Sequence, residues 1–136
     1  MDSKASARWE GGLKDGQGHV STESGALDAN YSFKQRFEGA PGTNPEELIG
    51  AAHAGCFSMA LSMILGEKGY TAESIDTQAS VTLSQGSNGF DISKIHLEVE
   101  ASVSGADEAA FKEAAETAKA NCPVSKVLNA EITMTA

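Results

Sequence analysis

The chain has 136 residues, the size of one compact domain with room for a real core. Nineteen acidic against ten basic side chains leave a net charge of −9, so the surface repels nucleic-acid phosphates and anionic lipid headgroups. Hydrophobic residues make up 40% and aromatics 6%, which calls for a core of aliphatic side chains and alanine and excludes a disordered or fibrous chain.

Met1 to Ser6 show no basic-then-apolar leader, so the cytoplasm is the expected compartment. Ala5–Leu13 and Gly18–Ser24 are predicted as short strands joined by the turn residues 14–17. Ala29–Phe37 is predicted as a third extended piece, with Tyr31, Phe33 and Phe37 on one face and Arg36 on the other. Asn44-Pro45-Glu46-Glu47 then opens a helix: Asn can cap, Pro fits the first turn, and two carboxylates meet the positive end of the dipole. That helix is predicted from Pro45 to about Glu67, roughly 34 Å long, with Gly69 ending it.

Strict alternation through Ile75, Thr77, Ala79, Val81 and Leu83 predicts a strand. Gly86-Ser87-Asn88-Gly89 turns it into a hairpin. The returning strand alternates through Ile95, Leu97, Val99, Ala101 and Val103. Phe90 and Ile92 have the opposite parity, which places a bulge near Ser93-Lys94. A second helix is predicted over Asp107–Asn121, with Phe111, Ala114, Ala115 and Ala118 as its apolar stripe and Cys122 continuing that stripe inward. Pro123 can open a further short turn, and Ala130 to Ala136 alternate as a last strand.

This order predicts a single α+β domain spanning residues 1–136, with sheets layered on two central helices. The Pro45–Glu67 helix is apolar nearly all round and contains a stretch, Leu48–Leu65, almost free of charge. His53, two serines and the acidic flank Glu46-Glu47 argue for a buried helix rather than a membrane span. One sheet cannot cover every face of it, so a second copy of the chain is expected to cover the rest.

Two cysteines, Cys56 and Cys122, lie 66 positions apart, which is neither a C-x-x-C motif nor a zinc-site spacing. Taken without context they read as buried, inert thiols. A reactive Cys56 would need a positive partner, because at a pKa of ~8.5 only about 3% of a thiol is ionised at pH 7. His53, three residues earlier on the helix, and Arg36 are the candidates, though each also has a plain reading, as a satisfied helix histidine and a solvated strand residue. The three histidines and two cysteines are poorly spaced for metal.

Residues 44–58, NPEELIGAAHAGCFS, resemble the central-helix signature of the OsmC/Ohr peroxiredoxins, and Asn121-Cys122-Pro123-Val124-Ser125 resembles their second-cysteine motif. Trp9-Glu10-Gly11, the segment 21–25 and Arg36-Phe37-Glu38-Gly39 are similar to the OsmC branch, so the resemblance covers essentially the whole chain. It implies an OsmC-like fold, antiparallel sheets wrapped around two central helices in an intertwined homodimer, and a thiol peroxidase acting on organic hydroperoxides and less well on hydrogen peroxide. No metal, haem or flavin cofactor is implied. Carried onto this sequence, Cys56 becomes the peroxidatic nucleophile, Cys122 the resolving cysteine, Arg36 the thiolate-stabilising arginine and Glu46 its orienting carboxylate. An external dithiol would reset the enzyme. Phe37 and Phe57 could line a greasy wall for alkyl peroxides, and His53 fits the OsmC branch without an assigned role.

Glu46 and Cys56 are ten residues apart, hence ~15 Å along one straight helix. Two such helices crossing antiparallel near Ala51 would bring each Glu46 beside the partner's thiol, and Gly50, Ala51, Ala52, Ala54 and Gly55 are small enough to permit it. The expectation is two composite sites per dimer, each drawing Glu46 and Arg36 from the opposite chain. Two other classes stay open at this point: a stress-protective binding protein with packing thiols, and a redox sensor that bridges without turning over peroxide.

Overall fold

The computed structural model describes all residues, 1–136, as ten elements. They are β1 (Ala5–Glu10), β2 (Gln17–Thr22), β3 (Asp28–Tyr31), α1 (Phe33–Phe37), α2 (Pro45–Glu67), β4 (Ala72–Gly86), β5 (Gly89–Val103), α3 (Glu108–Asn121), α4 (Pro123–Val127) and β6 (Glu131–Thr135). The architecture is α+β, with two three-stranded sheets. Two compact units divide the chain, Met1–Leu48 and Ile49–Ala136.

In the first unit β1, β2 and β3 form an antiparallel meander in which Trp9 pairs with Gly18 and Gly18 with Tyr31. The Trp9 and Tyr31 rings pack 5.5 Å apart over that glycine. A Cβ there would lie 2.5 Å from Tyr31 and 2.6 Å from Trp9, so only glycine admits both rings. Apolar burial is otherwise scarce: every residue of β1 is exposed.

The expected extension of strand through Phe37 is not what forms. The chain leaves the sheet after Tyr31, and Ser32, in extended conformation, caps α1 by accepting the Gln35 N–H at 3.4 Å. Phe33 and Phe37 still share a face, now by helical i,i+4 spacing, with ring centroids 4.8 Å apart. A serine cap with helix-compatible residues behind it outweighs two-residue aromatic periodicity over so short a run.

The start of α2 forms as its sequence predicts, with Asn44 Oδ1 accepting the Glu47 N–H at 2.8 Å. Its end is closed by Gly69 at φ +86°, which lets the Tyr70 N–H reach back to the Leu65 carbonyl at 2.9 Å. In the second unit His53, Phe57, Leu61 and Leu65, four residues apart in succession, are fully buried along one stripe. Phe57, Leu61 and Leu65 meet Ile95, Leu97 and Val99 of β5 and Ala114, Ala115, Ala118 and Cys122 at the end of α3 in one core.

β4 and β5 pair over their whole length around a two-residue Ser87-Asn88 turn. The register shifts where Thr82 faces Lys94 and Leu83 faces Ile92, so Ser93 is the extra residue, at the position the parity change predicts. One pair departs from the antiparallel expectation: β6 runs parallel to β5, joined to it by α3 and α4. A parallel neighbour needs such a crossover.

Within one chain α2 is covered on one side only, as expected of a helix that a single sheet cannot enclose. Ala51, Ala52, Gly55, Met59, Ser62, Met63 and Gly66 form an exposed stripe opposite the buried one, with Met59 and Met63 78% and 61% accessible. α2 is long and apolar enough by length and composition to cross a membrane, and under a third of its most apolar stretch is buried.

Candidate active site

In the first unit Arg36, brought near the end of α1 by the Ser32 cap, meets Glu46 in the first turn of α2. Both Nε and Nη2 donate to the same oxygen, Glu46 Oε1, at 3.0 and 2.7 Å. The carboxylate is 8% accessible as a residue while Arg36 stays exposed, so one partner is held and the other still reaches solvent. The Arg36 guanidinium also lies 5.5 Å from the centre of the Phe37 ring. Arg36 is therefore an ion-paired helix residue and not a solvated strand residue.

In the second unit α2 presents His53 and Cys56 at i,i+3, and the break between α3 and α4 presents Cys122 to them. Cys122 terminates α3 and caps α4, its sulfur accepting the Ser125 N–H at 3.3 Å. Cys56 is half-buried and Cys122 is 1% accessible. Both thiols are free, and their side chains hydrogen-bond to each other. Burial pushes the Cys56 thiol above its ordinary pKa, the Val124 backbone N–H opposes that, and the hydrogen bond and charge of Cys122 add to the rise. Two successive N–H groups of one turn, Val124 and Ser125, thus serve the two sulfurs.

Behind Cys122 the bonding continues. Its sulfur lies 3.1 Å from Ser125 Oγ, which is 2.7 Å from His53 Nε2. His53 is fully buried, its pKa is lowered by that burial, and its Nδ1 has no partner. Phe57, considered for a greasy wall, is instead a fully buried core residue.

The four residues singled out by sequence form two pairs, Arg36 with Glu46 and Cys56 with Cys122, one in each unit. Ser125 and the Val124 amide were not singled out. The usable signal for Ser125 was its place three residues after Cys122 and just past a proline, where a turn brings i and i+3 together.

Fold and thiols together define the class, an α+β chain whose two cysteines, remote in sequence, converge between a central helix and a helix break. The chain belongs to the OsmC family: the family model described as OsmC-like protein matches residues 37–136. It is 58% identical over 135 residues to Peroxiredoxin OsmC of Escherichia coli strain K12, covering 98% of this chain and 94% of that protein. Organic hydroperoxide resistance protein OhrB of Bacillus subtilis strain 168 is 30% identical over 117 residues, 85% of this chain and 84% of its own length. The crystal structure of OhrB superposes with a TM-score of 0.79 at 28% identity, covering 98% of this chain and 96% of that one.

Proposed function

We propose that this chain is a peroxiredoxin-type thiol peroxidase that reduces organic hydroperoxides, and hydrogen peroxide less well, in defence against oxidative and osmotic stress. The observation that carries the reading is the meeting of Cys56 and Cys122, 66 positions apart, around the Val124-Ser125 turn. Packing alone does not require two thiols there, whereas reversible oxidation does. The relationship to Peroxiredoxin OsmC supports the same reading.

The Cys56 thiolate attacks the outer peroxide oxygen; an S–O bond forms, the O–O bond breaks, and the alkoxide leaves as an alcohol on taking a proton. Cys122 then displaces hydroxide from the Cys56 sulfenic acid, giving a disulfide and water and guarding Cys56 against overoxidation. An external dithiol returns both thiols by exchange. The Val124 N–H favours the thiolate but burial opposes it, so the site needs a cation. Arg36 is suited to it, because a guanidinium stays charged when desolvated and can hydrogen-bond the peroxide oxygens as well.

The residues act as one functional domain, 1–136, of a cytoplasmic homodimer. The exposed small-residue and methionine stripe of α2, and a first unit with so little buried apolar surface, support a second copy covering both. Crossed α2 helices would deliver Arg36 and Glu46 of one chain to Cys56 of the other.

The test is a Cys122→Ser chain treated with one equivalent of cumene hydroperoxide and mapped by mass spectrometry. Sulfenic acid at Cys56, largely lost on adding Arg36→Ala, is the expected result. An unmodified Cys56 sinks the proposal, and bridging of the unaltered chain without catalytic turnover would replace it with a redox sensor.

A further inference from the structure

His53 occupies the first place of a stripe continued by Phe57, Leu61 and Leu65, all fully buried. An apolar side chain would suit that place better. Burying an imidazole with Nδ1 unpartnered opposes folding, and its Nε2 has one partner, Ser125 Oγ at 2.7 Å. Capping of α4 does not explain the arrangement, since Cys122 itself accepts the Ser125 N–H. What the histidine adds is a continuous line of exchangeable protons from its ring, through a serine hydroxyl, to a sulfur atom.

We propose that Ser125 and His53 form a proton relay for Cys122, Ser125 Oγ taking the thiol proton while its own hydroxyl proton passes to His53 Nε2. The inference rests on Cys122 being the resolving cysteine. Burial keeps the imidazole neutral, and so able to accept. During closure the Cys122 sulfur supplies the electron pair of the new S–S bond and the S–O bond of the Cys56 sulfenic acid breaks. The departing hydroxide takes up the proton that His53 gives back, and leaves as water. His53 is thus neutral before and after the step, with no net charge left in the core. Ser125 touches a reacting atom; His53 acts through it and is a positioning residue. The arrangement resolves a difficulty peculiar to this site: Cys122 is 1% accessible, so bulk water cannot serve as its base.

Rapid-quench kinetics on the full chain separate the two steps. After one equivalent of cumene hydroperoxide, sulfenic acid is trapped with dimedone and disulfide is counted by mass spectrometry. Ser125→Ala and His53→Leu are expected to slow disulfide closure by about 10²-fold relative to sulfenic-acid formation. Ser125→Thr, which keeps the hydroxyl, should restore the ratio, a rescue that a packing role alone would not produce. His53→Gln keeps an acceptor without basicity and should close as slowly as His53→Leu. Wild-type closure in Ser125→Ala, or in His53→Gln, overturns the relay. If the unaltered chain forms no sulfenic acid at Cys56, the peroxidase reading itself fails, a result distinct from the other two.

Discussion

The Arg36–Glu46 pair and the Cys56–Cys122 pair are built on opposite physical plans. The first is charged, with two donors converging on one carboxylate oxygen and the guanidinium still reaching solvent. The second contains no charged partner: its sulfurs are served by backbone N–H groups, a hydroxyl and, behind that, a neutral imidazole. Burial in the thiol pair suppresses the Cys56 thiolate, whereas a charged pair can favour a thiolate. Under the proposed peroxidase chemistry both pairs are needed, and the composite-site proposal draws the charged pair from a second copy.

Deleting the Cys56 sulfur is the bluntest way to break this division: Cys56→Ser should abolish peroxide turnover in a coupled dithiol assay. Arg36→Ala should slow Cys56 oxidation by about 10²–10³-fold, the loss typical of one transition-state donor, with Arg36→Lys recovering only part of it. Mixing Arg36→Ala with Cys56→Ser chains sharpens the comparison. Random exchange in a symmetric dimer should restore about a quarter of full activity if the sites are shared, and none if each chain keeps its own. Glu46→Gln, which leaves Arg36 cationic but less firmly aimed, should cost less, about tenfold or ~1.4 kcal/mol in the same assay.

The smallest effect concerns pH. Because the folded state holds His53 below the ordinary imidazole pKa, the unfolded chain binds the additional proton as pH falls. The His53 contribution is therefore fully present above the ordinary imidazole pKa and is lost as pH drops from there toward the folded value. Urea titrations at pH 7.5 and 5.5 should show the unaltered chain losing more stability than His53→Leu over that interval.

Much of this was legible in advance. Caps, dipole charges and breakers delimited α2 and α3, and a change of parity located the Ser93 bulge, because each is a local signal. Phe33–Phe37 was misread because five residues satisfy strand and helix periods alike, and a single serine hydroxyl settles the choice. That β6 would run parallel to β5 depends on which strand it meets, which alternation does not encode. The thiol pair was reached through motif resemblance, since spacing alone left inert packing open. The His53–Ser125 contact joins residues 72 positions apart and carries no local pattern at all.

The parallel pairing of β6 bears on when the two thiols can meet. Cys122 belongs to the crossover, α3 and α4, that carries the chain from β5 to its parallel neighbour β6. The convergence of Cys56 and Cys122 is therefore a product of tertiary packing, and a local opening of α3 and α4 away from α2 would part the two sulfurs.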